Sequence, residues 1–159
     1  MHTEESLRIV LNSSPFIILA KLGVLEKAIN IFNEIEVPRG GLEEIEKKKD
    51  KVYVELTRLI SEGKISIEDI RKRFPRLGLG ESSAIFLAFM KNKVIVLDDK
   101  KARKLARDLG LEVIGVLSIL KKLYEKRILR EPPSFLYKRL IDLGFYADKK
   151  TFDKIFKAE

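Results

Sequence analysis

The sequence predicts an α/β fold of three layers, in which helices cover both faces of a central, mainly parallel sheet of about four or five strands. The strand candidates are continuous apolar runs, as expected for strands buried on both faces, and they alternate with helical patterns. The chain has 159 residues and no segment that resembles a linker, so it has the size of one domain with its own core. Residues 1–159 are therefore predicted to form a single domain, with a helical extension at about 131–159.

The first half of the chain alternates strand and helix patterns. The predicted elements are a strand at Leu7–Leu11, helices at Phe16–Leu22 and Leu25–Phe32, a strand at Ile35–Val37, and helical spacing from Leu42 to Leu59 with a charged gap at 47–50. Asn or Ser at 12–14 is expected to cap the first helix, with Pro15 in its first turn. Ile65 and Ile67 fit a strand or a loop, and 70–74 fits a helical turn.

The second half continues the alternation after Pro75, Gly78 and Gly80. The predicted elements are helices at Glu81–Met90, Lys100–Leu109, Leu117–Leu129, Phe135–Leu143 and Lys149–Phe156, and strands at Val94–Leu97 and Glu112–Val116.

Composition excludes several kinds of site. The chain has no cysteine, so disulfides, thiolate zinc sites and cysteine nucleophiles are impossible. Its only histidine is His2, near the chain end, which argues against a Ser-His-Asp triad and against histidine metal sites. Gly78-Leu79-Gly80 lacks the third glycine of a dinucleotide-binding loop, and no Gly-Lys-Ser or Gly-Lys-Thr phosphate loop is present.

The chain is basic, with 32 Lys and Arg against 24 Asp and Glu and a formal net charge of +8. This balance favours an anionic partner such as nucleic acid, but it is equally typical of a heat-adapted surface. Residues 1–5 do not resemble a signal or transit peptide, and no apolar run has the roughly 20 residues needed to cross a bilayer. We expect a soluble, cytoplasmic protein without membrane contact.

Polar and acidic residues follow the predicted strands. Asn12 ends the first strand, Asp98 and Asp99 end the Val94 strand, and Glu81 opens the helix before that strand. Ligands of open parallel sheets bind at the carboxyl ends of the strands, and oxygen donors gathered there suit Mg²⁺ or Mn²⁺. Each acid also has an ordinary explanation, because Glu81 complements a helix dipole and Asp98 or Asp99 can cap the next helix. The residues alone indicate only that an acidic metal site is possible.

Four motifs in order resemble the PIN-domain family. Asn12–Ile17 is similar to its opening motif, and Val37-Pro38 followed by Glu44 to its second. Gly80–Ala88 is similar to the third motif, and Leu97–Arg103 to the fourth. The last of these has the Asp-Asp-x-x-Ala-Arg pattern of a VapC-like branch, and the resemblance extends from Ile9 to about Tyr146.

The resemblance implies a metal-dependent ribonuclease that uses Mg²⁺ or Mn²⁺ to activate water. By motif, Glu44, Glu81, Asp98 and Asp99 would be catalytic carboxylates and, with Asn12, metal ligands. It also implies that Ser14 orients a metal-bound group, and that Arg103 binds phosphate unless it forms a surface ion pair. RNA would be the substrate, a homodimer the usual assembly, and a small antitoxin protein a possible partner.

Two departures from the family pattern bear on catalysis. Asn12 stands where most PIN nucleases have Asp, which removes one negative charge from the site, and Ser83 stands where this branch often has a second acid. We therefore expect weak metal binding and reduced activity. The alternative is an inactive PIN-like module that binds RNA or a partner protein, and a nuclease acting on DNA is a third possibility.

The C-terminal stretch after Pro132-Pro133 is strongly apolar. Its large apolar residues are Phe135, Leu136, Leu140, Leu143, Phe145, Phe152 and Phe156. Ordinary core packing is the favoured interpretation, and a dimer or antitoxin surface is the alternative.

Overall fold

The structure is a computed structural model that describes residues 7–156. His2 and the rest of 1–6 lie outside the described residues, as do 157–159. Five strands form one sheet: β1 (Arg8–Leu11), β2 (Glu34–Pro38), β3 (Ser66–Glu68), β4 (Val94–Val96) and β5 (Val113–Ile114). Their order is β3-β2-β1-β4-β5, and all four pairings are parallel, so β1 is central.

Helices connect the strands in the order that a parallel sheet requires. They are α1 (Ser13–Lys21), α2 (Leu25–Ile29), α3 (Glu43–Lys48), α4 (Lys51–Ser61), α5 (Leu79–Lys91), α6 (Lys100–Asp108), α7 (Val116–Glu125), α8 (Pro133–Asp142) and α9 (Lys149–Ile155). None of these helices combines the length and apolar character needed to cross a membrane.

The sheet is buried on both faces, because successive side chains of a strand point to opposite sides. On one face, Ile9 and Leu11 of β1 belong to the larger core cluster, with residues of α1–α4 and α7–α9. On the other face, Val10 packs with Ala84 and Ala88 of α5 and with residues of α6. The three-layer α/β/α fold predicted from the apolar runs is confirmed.

Local details differ from the prediction where side chains capture backbone groups. The helical pattern from Leu42 to Leu59 divides into α3 and α4, because Lys49 adopts φ 48° and the carboxylate of Asp50 accepts the N–H of Val52 at 3.0 Å. The helical turn predicted at 70–74 is wrong. The backbone there is irregular, since its Lys72 and Phe74 N–H groups donate to the hydroxyls of Ser83 and Ser82.

The C-terminal helices contribute to the core. Leu136, Leu140, Phe152 and Phe156 are buried in the larger cluster, and the rings of Phe152 and Phe156 stack with centroids 4.5 Å apart. Core packing therefore accounts for these side chains. Phe135, by contrast, is 63% exposed.

Candidate active site

Asn12 begins the candidate site at the carboxyl end of the central strand. It precedes α1, and its N–H donates to the carbonyl of Val96 at 3.4 Å, which holds the end of β1 beside the end of β4. Its side chain is 3% exposed and does not cap α1. Within residues 7–156, its Oδ1 is one of two buried side-chain polar atoms without a hydrogen-bond partner. Such an atom costs stability unless a ligand satisfies it.

The first turn of α5 lies against Asn12. A Cβ on Gly80 would be 3.4 Å from Asn12 Oδ1 and 3.5 Å from Ser13 Oγ, and a Cβ on Gly41 would be 2.6 Å from the Gly80 Cα. The loop after β2 and the start of α5 therefore approach each other through glycine backbone, and Asn12 lies at this junction.

Glu81 follows Gly80 directly and is half-buried in the first turn of α5. Its carboxylate lies over Gly78, where an added Cβ would be 2.7 Å from Oε1. No side chain or N–H group within residues 7–156 binds this carboxylate. Glu81 therefore keeps its acceptor capacity for a ligand.

Asp98 is bound to the start of α7. Its two oxygens accept the N–H of Val116 at 3.2 and 3.4 Å, and the Arg103 guanidinium beside it donates to the carbonyl of Leu97 at 2.7 Å. Gly115 leaves the space for both side chains, since a Cβ there would be 2.6 Å from Asp98 Oδ1 and 2.8 Å from Arg103 Nη1. Arg103 thus holds the β4–α6 connection, and a phosphate contact would compete with this bond.

Burial raises the pKa of Asp98 from 3.8 to about 6, although the Val116 N–H and the Arg103 charge oppose the shift. Burial is likewise the main cause that lowers the pKa of Arg103 from its usual value. A cation bound beside Asp98 would favour the ionised carboxylate and so lower the pKa that burial raises.

Asp99 has a different role from its neighbour. Its Oδ2 accepts the N–H of Ala102 at 3.0 Å and so caps α6. The residue is exposed, and a carboxylate that accepts one N–H still has acceptor sites for another group.

Three predicted acids line one cleft of about 600 Å³. Its lining residues are Arg76, Leu77, Gly78, Glu81, Asp98, Asp99, Lys100, Lys101 and Tyr146. Three carboxylates thus share the cleft with three basic side chains, those of Arg76, Lys100 and Lys101. The cleft can hold both a cation and an anionic chain.

Four predicted site residues do not line this cleft: Asn12, Ser14, Glu44 and Arg103. Asn12 is buried behind the first turn of α5, and Arg103 binds the carbonyl of Leu97. Glu44 is exposed, lies 4.0 Å from Lys48 Nζ, and lines a separate depression with Lys21 and Asp50. Ser14 is exposed on α1, whereas Ser13 reaches the Gly41–Gly80 junction. Ser83, which stands where an acid was expected, is fully buried and hydrogen-bonds to Lys72.

Sequence reasoning missed the cations and the aromatic ring of the cleft. Lys100 and Lys101 directly follow Asp98 and Asp99, so their position in the sequence could have identified them. Arg76 and Tyr146 lie far apart in the sequence, and only the fold places both of them along the cleft.

The donor set fits a hard divalent cation in its chemistry. Asn12 offers a buried amide oxygen without a partner, and Glu81, Asp98 and Asp99 offer carboxylates at the same sheet edge. Within residues 7–156, however, no three acidic side chains are close enough together to form a metal cluster by themselves. Water ligands would have to complete the coordination, as Mg²⁺ sites commonly allow.

Comparisons with known proteins agree with this fold. A solved structure of a PilT N-terminus domain protein, SSO1118, from the hyperthermophilic archaeon Sulfolobus solfataricus P2, aligns with a TM-score of 0.50 and 19% sequence identity. The alignment covers 73% of this chain and 92% of that one, and at this identity it supports the fold. No curated protein matches the sequence.

A family model decides the classification. Residues 8–158 match the model of DUF3368, described as a PIN domain. PIN domains are generally nucleases that use divalent metal ions, so the chain has a nuclease-type fold. With nearly its whole length covered by the match, the chain belongs to the DUF3368 family of PIN domains.

Proposed function

We propose that the protein is a metal-dependent endoribonuclease that works at the cleft between α5 and α6. The observation that carries the proposal is the buried, unpartnered Oδ1 of Asn12, which lies against the turn of α5 that bears Glu81. An unsatisfied oxygen of this kind is costly, and a bound cation would satisfy it.

Mg²⁺ or Mn²⁺ would be held by Asn12, Glu81, Asp98 and Asp99, and when bound it would polarise a phosphoryl oxygen and lower the pKa of a water. Of the three carboxylates that line the cleft, Glu81 is the one without a protein partner among residues 7–156, so it can orient the attacking water and accept its proton. Asp98 is held in place by the Val116 N–H. Lys100 and Lys101 would bind phosphate oxygens.

Glu44 enters the proposal only through the family resemblance, because it lines a separate depression. The VapC-like toxin role, the antitoxin partner and the homodimer likewise depend on that resemblance. Light scattering of the purified chain tests the homodimer, and a small antitoxin gene immediately upstream would favour the toxin role.

RNA cleavage with added Mn²⁺ tests the proposal. We expect Glu81→Gln to abolish cleavage and Asn12→Asp to increase it, because the second change restores a charge to the site. Glu125→Gln, an exposed change at the end of α7, is the matched control and should cleave like the native chain. Glu44→Gln decides whether Glu44 takes part. Cleavage that resists both chelation and Glu81→Gln would contradict the proposal.

A catalytically inactive RNA-binding module is the second candidate. It is favoured by Asn12 in place of an acid and by the lack of a three-acid cluster within residues 7–156. Under this alternative, RNA affinity is the same with Mn²⁺ and with EDTA, and none of the variants cleaves RNA.

A further inference from the structure

Tyr146 is an aromatic side chain at the edge of the cleft that the fold leaves uncovered. It is 89% exposed, in the connection between α8 and α9, and it lines the cleft with Asp98 and Asp99. An aromatic ring gains stability chiefly by burial. At this exposure Tyr146 contributes little to packing, and among the exposed large hydrophobic side chains of residues 7–156 it is the one that lines the cleft.

The backbone on both sides of Tyr146 is fixed. The N–H of Phe145 donates to the carbonyl of Leu140 at 2.9 Å, and the hydroxyl of Tyr137 donates to the carbonyl of the buried Ala147 at 3.0 Å. The exposed ring is therefore presented between two anchored residues. Such anchoring lowers the entropy lost when a ligand binds to the ring.

Three basic side chains line the same cleft beside the carboxylates of Glu81, Asp98 and Asp99. Arg76 lies in the connection before α5, and Lys100 and Lys101 begin α6. Within residues 7–156, none of the three forms an ion pair or a side-chain hydrogen bond with another residue. Their charges are available to an anionic ligand, unlike those of Lys91 and Lys93, which bind carboxylates.

An exposed ring flanked by available cations matches the chemistry of single-stranded nucleic acid. Proteins bind such strands with basic residues on the phosphates and aromatic rings on the unstacked bases. In a duplex the bases are paired and stacked, and their faces cannot reach an aromatic side chain.

We propose that the cleft binds single-stranded RNA, with one nucleobase stacked on Tyr146 and the adjoining phosphates on Arg76, Lys100 and Lys101. The choice of RNA depends on the proposed function, whereas the stacking role of Tyr146 is a separate claim about binding. Tyr146 thereby makes the site selective for unpaired strands.

Fluorescence anisotropy in EDTA tests this inference without any cleavage. The probes are a labelled oligouridylate, an abasic strand of the same length, an RNA duplex, and the matching DNA strand. The full chain is compared with Tyr146→Ala and Tyr146→Phe. Phe135→Ala serves as the matched control, because Phe135 is also an exposed aromatic side chain but does not line the cleft.

We expect Tyr146→Ala to weaken oligouridylate binding by about 5-fold or more, the range that loss of one stacked base gives. The abasic strand and the duplex should bind equally to the native chain and to this variant. Tyr146→Phe and Phe135→Ala should retain native affinity. The Lys100→Gln/Lys101→Gln variant should bind every strand more weakly. The slope of its log affinity against log salt concentration should be smaller by about 0.7 for each phosphate that the protein no longer neutralises.

If Tyr146→Ala weakens binding of the oligouridylate and of the abasic strand equally, the stacking role is overturned. It is also overturned if the duplex binds as tightly as the oligouridylate and loses as much affinity in Tyr146→Ala. Tighter, Tyr146-dependent binding of the DNA strand would overturn the choice of RNA. Because EDTA prevents turnover, a failed cleavage assay leaves the stacking result intact, and a failed stacking result leaves the nuclease proposal intact.

Discussion

The buried Oδ1 of Asn12 faces Gly80, where an added Cβ would lie only 3.4 Å away, and within residues 7–156 no group donates a hydrogen bond to this oxygen. A glycine at position 80 therefore keeps the first turn of α5 close to the end of β1 without filling the space beside Asn12. The arrangement favours a ligand over a protein partner for this oxygen.

Asn12→Asp is predicted to destabilise the protein in EDTA and to make its stability depend on metal. A carboxylate buried without a partner should cost at least about 1–3 kcal/mol, and a loss of that size lowers Tm by roughly 2–12 °C in a chain of this size. Added Mn²⁺ should raise the Tm of this variant more than that of the native chain, because the cation satisfies the new charge. Thermal unfolding with and without Mn²⁺ measures both effects.

Asn12→Leu is the control for that prediction, since leucine has a similar size and no polar atom. We expect native or higher stability in EDTA and no response to Mn²⁺. An Asn12→Asp variant that is as stable as the native chain in EDTA and unresponsive to Mn²⁺ would show that Asn12 is no metal ligand.

Asp98 is predicted to make the protein less stable as the pH rises from about 4 to about 6. Its pKa in the fold is about 6, above the usual 3.8, so the folded state favours the protonated carboxyl. The shift corresponds to roughly 3 kcal/mol at most that is present below about pH 4 and lost as the pH passes 6. Asp98→Asn should therefore unfold at higher urea concentration than the native chain at pH 8.

The difference in unfolding free energy between Asp98→Asn and the native chain isolates the titration of Asp98 from that of other groups. Urea unfolding at several pH values should show the Asp98→Asn advantage growing between about pH 4 and pH 6 and constant above. Asp99→Asn is the neighbouring control, because asparagine also caps helices well, and its stability should stay close to native. An Asp98→Asn advantage that does not change with pH would refute the buried-carboxyl explanation.

The fold was predictable because its strands are buried on both faces and read as continuous apolar runs. Errors arose where one polar side chain bound a distant backbone group. The hydroxyls of Ser82 and Ser83 hold the irregular 69–78 connection, and nothing in the local pattern there indicates it. The strand predicted at Glu112–Val116 ends at Ile114 because Asp98 accepts the Val116 N–H, which starts α7.

The candidate site was predictable only in part. The strand ends drew attention to Asn12, Asp98 and Asp99, and helix order drew attention to Glu81. Sequence spacing could not reveal that Glu44 lines another depression, because one residue along α3 turns the side chain by about 100°. The contribution of Tyr146 to the cleft depends on the path of the C-terminal helices, which no local pattern indicates.

Gly115→Ala is predicted to destabilise the protein through a clash with Asp98 and Arg103. The backbone φ of −123° suits alanine, so the cost arises from the added Cβ, 2.6 Å from Asp98 Oδ1. Displacing these two anchored side chains should cost about 1–3 kcal/mol, measured by urea unfolding. In an Asp98→Ala background the cost should be smaller, which a double-mutant cycle detects.

Gly110→Ala supplies the contrast for Gly115→Ala. Gly110 has φ +85° and open space around its Cβ position, so alanine is strained there whether or not Asp98 is present. Its cost should therefore add to that of Asp98→Ala. Additive costs for Gly115→Ala as well would show that Asp98 does not cause the clash.

Glu36 and Lys93 form a buried ion pair on the face of the sheet that α5 covers. Glu36 Oε1 lies 2.5 Å from Lys93 Nζ, and these side chains are only 4% and 6% exposed. Lys91 binds the other Glu36 oxygen at 2.5 Å. Burial raises the pKa of Glu36, but the hydrogen bonds from Lys91 and Lys93 outweigh it and hold that pKa below its usual value.

Lys93→Met is predicted to destabilise the protein by about 1–3 kcal/mol, because it leaves the buried Glu36 carboxylate with Lys91 as its remaining cation and removes an ion-pair partner of Glu34. The Glu36→Leu/Lys93→Met double variant should recover most of that loss, since a buried ion pair replaced by apolar groups of similar volume is often neutral in stability. Urea unfolding of both variants measures the difference. A double variant no more stable than Lys93→Met would mean that the pair itself stabilises the fold, beyond compensating the burial of its own charges.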